Sequence, residues 1–142
     1  MLSQSKFPAS ANEPSQKQLR ALLEYYQNGR LDKAEKLAKS ITNEFPKHQF
    51  GWKVIGAILG TTGRKSEALD ANQTAVTLSP QDAAAHSNLG ITLHELGRLE
   101  EAEACLKQAI ALKPNYAEAH SNLGITLHEL GRLEDAGASL RQ

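Results

Sequence analysis

The sequence predicts an all-α protein in which pairs of helices stack into a solenoid, and three observations lead to this fold class. The block of residues 85–100 recurs letter for letter at residues 119–134. Gly-Arg pairs begin at residues 29, 63, 97 and 131, and prolines at 46, 80 and 114 keep the same step of 34 residues. Much of the apolar content is Ala and Leu, with only 5% aromatics, which suits close helix packing. A constant step of this length is the signature of a repeat architecture.

Length and charge limit the function classes. The 142 residues suffice for one domain, and sixteen basic residues balance sixteen acidic ones. A zero net charge argues against a nucleic-acid or anionic-membrane partner, since both require a basic surplus. The single cysteine, Cys105, cannot form an internal disulfide. Because the sequence shows neither a secretory signal nor an apolar stretch long enough to span a membrane, we expect a cytoplasmic protein.

The chain divides into a leader and four frames of the 34-residue step. Residues 1–14 are expected to form a flexible leader, because they contain two prolines, several small polar residues and no apolar period. The frames then occupy residues 15–48, 49–82, 83–116 and 117–142, and the fourth is shortened. Each frame is expected to hold two antiparallel helices that are separated at its Gly-Arg pair.

The helical spacing of apolar residues is clearest in the third frame. Its first helix is predicted at about residues 83–96 and its second at about 99–112. Gly97 follows the first helix, where a left-handed backbone can end it at the least steric cost. Pro114 follows the second helix, where its ring and missing N–H prevent continuation. The apolar stripes of the two helices are predicted to contain Ala85, Leu89, Leu93 and Leu96, then Leu99, Ala102, Leu106, Ala109 and Ile110.

The other frames carry the same pattern. Frame one supplies Ala21, Leu22, Tyr25, Leu31, Ala34, Leu37, Ala38 and Ile41, and frame two supplies Trp52, Ile55, Gly56, Leu59, Ala68, Ala75, Val76 and Leu78. Frame four repeats frame three and is expected to form a shortened helical hairpin. Three glycines at one position of the first helices are expected to let the paired helices approach closely, namely Gly56, Gly90 and Gly124.

These letters resemble the tetratricopeptide repeat family, whose 34-residue pattern opens with Trp-x2-Leu-Gly-x2-Tyr and continues with Ala-x3-Phe, Ala and Pro. The opening is matched by Trp52, Ile55, Gly56 and Leu59, and the close by Ala102, Leu106, Ala109 and Pro114. The resemblance covers residues 15–142, and its departures are Gln18, Leu22 and Asn72. It implies a right-handed α-solenoid of antiparallel helix hairpins, a superhelix of about 3.5 repeats.

The resemblance also implies a concave groove that is lined by the first helix of each frame and binds a protein or peptide. The predicted peptide-binding residues are Lys53, Ser87, Asn88, Ile91, His94, Glu95, Ser121, Asn122, Ile125, His128 and Glu129. The other groove positions, which include a more apolar entrance in frames one and two, are Leu19, Arg20, Leu23, Tyr26, Gln27, Phe50, Val54, Ala57, Thr61, Ala84 and Glu118.

Asn88 and Asn122 are the sharpest candidates, because an amide side chain can pair with both polar groups of an extended peptide backbone. The surrounding Ser-Asn-Leu-Gly resembles the repeats of O-linked N-acetylglucosamine transferases, in which such asparagines form a ladder along a peptide. The alternative is that both asparagines bond only neighbouring helix groups or water. The chaperone-tail clamp of some relatives is not expected: Lys53 and Asn88 match it, whereas Ala57, Glu118 and Asn122 do not.

Metal and enzyme functions are not expected. His86 and His120 occupy a packing position of the repeat, and His94 and His128 align because the block is duplicated. A metal site requires three or four converging ligands, and nothing in the sequence supplies a nucleophile with an oxyanion hole. We therefore expect neither cofactor nor catalysis.

The sequence thus predicts a protein-interaction scaffold that binds a peptide segment or a helix. The alternative is the non-catalytic targeting arm of a larger transferase whose catalytic domain follows residue 142. An apolar edge of frame four is also expected to cause self-association through Leu123, Leu127, Leu130 and Leu140, because terminal repeats normally need a polar outer face.

Overall fold

The computed structural model describes residues 13–141, with side chains described up to residue 134. These residues form seven α-helices and no strand. The first helices of the four frames are α1 (Gln16–Gln27), α3 (Gln49–Thr61), α5 (Ala83–Glu95) and α7 (Ala117–Arg141), and the second helices are α2 (Leu31–Glu44), α4 (Lys65–Leu78) and α6 (Leu99–Leu112). Every helix packs against the next one along the chain. The first helices also touch one another across neighbouring frames, α3 with α5 and α5 with α7.

The buried core runs along the stack because each frame leaves apolar surface for the next one to cover. One cluster joins frames one and two through Leu22, Ile41, Ile55 and Ile58. A second joins α4 to frame three, and a third joins α6 to the start of α7. The predicted stripes of frame three are confirmed, with Leu89, Leu93, Leu99, Ala102, Leu106 and Ala109 all buried. The all-α solenoid predicted from the period is therefore the observed fold.

Left-handed glycines end the first helices of frames one to three, as the sequence predicts. Gly29, Gly63 and Gly97 have φ angles of 74°, 82° and 80°. The backbone N–H of the arginine after each glycine donates to a carbonyl of the last helical turn; Arg98 reaches Leu93 at 2.9 Å. These are the hydrogen bonds of a helix that ends on a left-handed residue.

The hairpin expected in frame four is wrong for this structure. One helix, α7, runs without a break from Ala117 to Arg141 and includes Gly131. In the earlier frames the second helix lies against the first helix of its own frame and that of the next frame, as α6 does with α5 and α7. A turn at Gly131 would break backbone hydrogen bonds of α7. Within residues 13–141, no following helix exists whose packing could offset that loss. A Gly-Arg pair permits the turn, but tertiary packing is what selects it.

Two of the three packing glycines behave as predicted. A Cβ atom on Gly90 would lie 2.8 Å from Cγ of Leu106, and one on Gly56 would clash with the amide of Asn72. Among the described residues, a Cβ atom on Gly124 would meet nothing within 4 Å, because no second helix of frame four covers this part of α7 there. The prediction of close approach is therefore wrong at Gly124, for the same reason that the fourth hairpin is absent.

The departures from the repeat pattern in frame one have local explanations. Gln18 forms a capping box with Ser15: Ser15 Oγ accepts from the Gln18 backbone at 3.0 Å, and Gln18 Oε1 accepts from the Ser15 backbone at 2.8 Å. Leu22 replaces the packing glycine, and the facing position of α2 holds the small Ala38. Both side chains are fully buried in one cluster. The large residue of this pair therefore lies on the first helix and the small one on the second, which is the opposite of the arrangement of Gly90 and Leu106.

Of the expected leader, residues 1–12 lie outside the described part of the chain. Pro14, its last residue, is buried, so the packed structure starts slightly before the predicted boundary. Within residues 13–141, no helix combines the length and hydropathy that crossing a membrane requires.

Candidate functional site

A cavity lies where the first helices of three frames meet, and we call it the central cavity. Its volume is about 220 Å³. Helices α1, α3 and α5 supply most of its lining, and α4 contributes one residue. The lining residues are Tyr26, Gly56, Ala57, Gly60, Thr61, Asn72, Asn88, Ile91, Thr92 and Glu95. Three predicted binding residues, Asn88, Ile91 and Glu95, are therefore brought together with groove positions of the two preceding frames.

Asn88 and Asn122 both present their side-chain amides without a protein partner. Neither amide makes a hydrogen bond to another group among residues 13–141, and both side chains are half-buried. Their backbone carbonyls accept from Thr92 Oγ1 at 3.1 Å and Thr126 Oγ1 at 2.9 Å. The alternative in which these asparagines bond neighbouring helix groups is not seen. Only Asn88 lines the central cavity.

Asn72 is a functional candidate that the groove pattern missed. It lies on α4 and is 2% exposed, and its Nδ2 donates to Thr92 Oγ1 at 2.9 Å. Its Oδ1 is buried without a hydrogen-bond partner, although such groups are nearly always paired. The signal was present in the sequence, since a polar residue stands at a position where the repeat pattern has an apolar one.

Lys53 is engaged in an ion pair with a residue that sequence reasoning did not select. Its Nζ lies 2.8 Å from Oδ2 of Asp82, which also accepts from Gln49 at 3.0 Å. Asp82 caps α5 by accepting from the Ala85 backbone, as aspartate commonly does. Burial raises the pKa of Asp82, but the hydrogen bond and charge of Lys53, with the other two donors, outweigh it and leave the pKa below its ordinary value.

Two groove positions are closed. The side chain of Ser87 is fully buried, and its environment includes the hydroxyl of Tyr116, the last residue before α7. Val54 is 5% exposed and belongs to the core. The equivalent Ser121 is exposed, because no further helix packs on this side of α7 within residues 13–141. The Ser121 side chain is therefore accessible from solvent, whereas the Ser87 side chain is not.

The remaining predicted residues of frames three and four do not join the central cavity. His94 Nε2 lies 2.8 Å from Oε1 of Glu129, which ties α5 to α7. Ile125 and His128 are exposed on α7. Of the binding residues predicted from the duplicated block, Asn88, Ile91 and Glu95 therefore line the central cavity, whereas Ser121, Ile125 and His128 are exposed on α7.

A second cavity, which we call the entrance cavity, lies at the start of the groove. Its volume is about 300 Å³. It is lined by Gln16, Leu19, Arg20, Leu23 and Phe50, four of which are predicted groove positions. Leu23 is 40% exposed. The expected apolar entrance is thus present between α1 and α3.

The histidines of the packing position make a specific backbone contact. Nε2 of His86 and of His120 each lies 2.8 Å from the carbonyl of the proline six residues earlier. In frame two, Trp52 Nε1 donates to the equivalent carbonyl of Pro46 at 2.9 Å. Since a carbonyl only accepts, each histidine carries its proton on Nε2. These rings therefore act as structural donors.

The described residues show little that suggests reactive chemistry. Within residues 13–141, no three His, Cys, Asp or Glu side chains converge as metal ligands would. Cys105 is half-buried on α6, and burial together with the charge of Glu101 raises the pKa of its thiol. Such a thiol is a weaker nucleophile at neutral pH than an exposed one, because the thiolate is the reactive form.

Known proteins place the chain in a family. Family models described as "Tetratricopeptide repeat" match residues 19–83 and 63–111, and one described as "TPR repeat" matches residues 92–131. None of the curated protein sequences gives a significant match.

Solved structures share the solenoid. The first TPR of Spaghetti (RPAP3), bound to HSP90 peptide SRMEEVD, is 23% identical; the match covers 84% of this chain and 98% of that one, with a TM-score of 0.78. The Sgt2 TPR domain from Aspergillus fumigatus is 15% identical over 88% of this chain and 86% of that one, with a TM-score of 0.80. The Thermobaculum terrenum O-GlcNAc transferase K341M mutant is 28% identical over 79% of this chain but only 22% of that one, with a TM-score of 0.73.

The matches of residues 19–131, the left-handed glycines at a 34-residue step and the shared solenoid support one conclusion. The chain belongs to the tetratricopeptide repeat family.

Proposed function

We propose that this protein is an interaction scaffold that binds an extended peptide segment of a partner in its concave groove. The observation that carries the proposal is the side-chain amide of Asn88, which has no hydrogen-bond partner among residues 13–134 and is half-buried in a cavity that three frames build together. The similar fold of the first TPR of Spaghetti, which is bound to a peptide, supports this type of partner. A helix is the other form of partner that the groove allows.

The asparagines supply affinity through the backbone of the peptide. Each amide offers one donor and one acceptor, and a net hydrogen bond contributes about 0.5–1.5 kcal/mol. Four such bonds from Asn88 and Asn122 contribute roughly 2–6 kcal/mol before ordering costs. Once those costs are subtracted, the bonds alone give roughly millimolar binding or weaker. Side-chain contacts in the two cavities must therefore supply the remaining affinity and the specificity.

The groove differs from a site for a C-terminal carboxylate. Lys53 is the matching cation, and Asp82 already holds it at 2.8 Å. A peptide carboxylate at this position would have to compete with a partly buried ion pair, whose separation leaves an uncompensated charge. We therefore expect peptides that lie along the groove rather than peptides anchored by a terminal carboxylate.

The test is a peptide selection followed by matched variants. Displayed random 12-residue peptides would be selected on the 142-residue chain and their dissociation constants measured by fluorescence anisotropy. We expect Asn88→Ala to weaken binding roughly tenfold, because two hydrogen bonds are lost. Asn115→Ala, at an exposed asparagine in the turn before α7, is the control and should bind as the wild type does. Selected peptides that bind Asn88→Ala as tightly as the wild type would contradict the proposal.

A second candidate is that the chain is the targeting arm of a larger transferase. The similarity to the Thermobaculum terrenum O-GlcNAc transferase favours it, because the matched portion is only 22% of that chain. The coding sequence after codon 142 is the test. A nucleotide-sugar-binding domain in the same reading frame would support this candidate, and a stop codon or repeats alone would oppose it.

We also infer that the chain self-associates through α7. The first helix of frame three is covered by α6 where Leu106 lies against Gly90. The identical residues around Gly124 have no such cover within the part of the chain that the structure describes. Ile125 is 49% exposed and Leu127 is 44% exposed, and Leu123 and Leu130 are half-buried. The side chain of Leu140 lies outside the described residues. Contact between two copies would remove this apolar surface from water.

A further inference from the structure

The central cavity offers a hydrogen-bond acceptor from one of its two threonines, because the protons of both are already in use. The hydroxyl of Thr61 donates to the carbonyl of Ala57 at 2.9 Å. The hydroxyl of Thr92 donates to the carbonyl of Asn88 at 3.1 Å. A hydroxyl has one proton and two lone pairs, so the exposed Thr61 can only accept from a ligand. Thr92 is 3% exposed and already accepts from Asn72, so it is not available to a ligand.

The floor of the cavity also contains a hydrogen-bond acceptor. Because the Thr92 proton goes to Asn88, Thr92 Oγ1 must accept from Asn72, which fixes Nδ2 as the amide atom that faces it. The Oδ1 atom then lies against Gly56 without a hydrogen-bond partner. Asn72 and Gly56 both line the cavity. The negative end of the buried amide dipole is thus fixed beneath the groove.

The rim carries a single charge, and it is negative. Glu95 is the one charged residue of the lining, its side chain is exposed, and it forms no ion pair among residues 13–134. The walls include Tyr26, Ala57 and Ile91, which combine an aromatic ring with aliphatic surface. This surface suits the stem of a long side chain, and an aromatic face attracts cations.

We propose that the central cavity is a subsite for one basic side chain, a lysine or an arginine of the bound peptide. The aliphatic stem would pack between Tyr26 and Ile91, and the charged head would donate to Glu95 and to the hydroxyl oxygen of Thr61. The volume of about 220 Å³ is below the roughly 300–1,000 Å³ of small-molecule pockets, which fits a single side chain. The subsite rests on the proposed function and specifies the partner: a peptide segment with a basic residue at the position that passes Asn88.

The experiment uses single-residue probes, so that it does not depend on finding a partner. Nα-acetyl-lysine N-methylamide would be titrated into the uniformly ¹⁵N-labelled 142-residue chain, with amide chemical shifts followed by NMR. Nα-acetyl-norleucine N-methylamide has the same stem without the charge, and the acetyl-glutamate equivalent has the opposite charge. We expect the lysine probe to bind at roughly millimolar strength, with shifts centred on Ala57, Gly60, Ile91 and Glu95.

Two substitutions separate this site from general charge attraction. Glu95→Gln should weaken the lysine probe roughly threefold to tenfold, because the ion pair is lost. Glu100→Gln, which removes an exposed carboxylate of α6, should leave its affinity unchanged. The proposal is overturned if the norleucine or glutamate probe binds equally well, if Glu95→Gln has no effect, or if the shifts lie outside the cavity.

The peptide selection distinguishes failure of the subsite from failure of the proposed function. Selected peptides that require Asn88 but show no enriched lysine or arginine, and no sensitivity to Glu95→Gln, would remove the subsite and leave the scaffold. Recovery of no peptide at all would oppose the scaffold, while the probe titration would still decide whether the cavity binds a basic group.

Discussion

At the scale of single residues, Asn72 shows how one position serves packing and polarity together. Its equivalent in frame three is Leu106, which covers Gly90 in the way that Asn72 covers Gly56. The amide satisfies Thr92 but leaves Oδ1 buried without a partner. The equivalent of Thr92 is Thr126, which is fully buried and bonds only to the Asn122 carbonyl among the described residues. Leu106 holds the position of Asn72 in the next frame, so the repeat accepts a leucine where frame two has an asparagine beside this threonine.

Replacing Asn72 by leucine is expected to stabilise the protein. Asn72→Leu removes an unsatisfied buried acceptor, which costs about 1–3 kcal/mol, and it adds apolar burial. Thr92 loses one partner but keeps the Asn88 carbonyl. We expect the free energy of unfolding in urea to rise by roughly 1–2 kcal/mol. An unchanged or lower free energy of unfolding would show that the amide contributes more through Thr92 than its orphaned oxygen costs.

At the scale of helices, the packing of each pair depends on one large and one small residue at facing positions. Frame three has Gly90 on the first helix and Leu106 on the second, whereas frame one has Leu22 on the first and Ala38 on the second. All four are buried. The large residue of the pair can therefore lie on either helix as long as the facing residue is small, because a close-packed interior has no room for two large side chains at this contact.

A double-mutant cycle tests this volume exchange. Leu22→Ala should lower the free energy of unfolding by about 2–5 kcal/mol through the cavity it leaves, and Ala38→Leu should lower it by about 1–3 kcal/mol through overpacking. The double variant, measured by urea unfolding, should lose less than the sum of the two single losses. Additive losses would mean that the two positions do not share one volume.

Neighbouring frames are also joined by an ion pair. Glu35 on α2 accepts two hydrogen bonds from the Arg64 guanidinium, at 2.8 and 2.6 Å, and Lys39 lies 2.9 Å away. The hydrogen bonds from Arg64 and Lys39, together with their charges, lower the pKa of Glu35 from 4.5 to about 2. Because Arg64 lies in the turn between α3 and α4, the pair fixes this turn against frame one.

The lowered pKa predicts a pH-dependent effect of Glu35→Gln. Unfolding returns the carboxyl to its higher pKa, so its stabilising contribution is complete above pH 4.5 and is lost as the pH falls towards 2. We expect the wild type to have the higher melting temperature at pH 7 and the difference to close between pH 4.5 and 2. Glu100→Gln, with no ion pair among the described residues, should show no such closing; a pH-independent difference for Glu35→Gln would contradict the assignment.

At the scale of the whole molecule, the stack has two unlike ends. Frame one contributes four of the five residues that line the entrance cavity, and the charged Arg20 is one of them. Frame four presents the uncovered side of α7, where Leu133 is 61% exposed. Stacked repeats require each unit to be covered by the next or to have a polar outer face. Within residues 13–141 no further unit covers α7, and its exposed leucines do not form a polar outer face.

We expect the 142-residue chain to form dimers that depend on concentration, because burying Leu127 and its neighbours removes apolar surface from water. Light scattering after size exclusion should give a mass that rises between about 10 μM and 1 mM. Leu127→Glu should hold the protein as a monomer, and Leu23→Glu, at an equally exposed leucine of α1, should not. A monomer at all concentrations would remove the self-association.

How far the sequence predicted the structure differs from one residue to the next. The turns at Gly29, Gly63 and Gly97 followed from local rules, because a positive φ is the specific property of glycine at a helix end. The burial of Ser87 could not be predicted, since Ser121 has the same neighbours in sequence and is exposed. The ion pair of Lys53 required the distance between α3 and the start of α5, which no local pattern contains.

The sequence alone determined the helices, their 34-residue step and the glycine turns of the first three frames, because these depend on local backbone preferences and on a repeated apolar pattern. Tertiary structure decided which backbone conformation the repeated block of residues adopts at each of its two positions. Residues 85–100 contain a turn under cover of the following helix, whereas residues 119–134 lie within the single helix α7. The cavity at Asn88 was decided in the same way: its walls come from three frames, and only stacking brings them to a common surface.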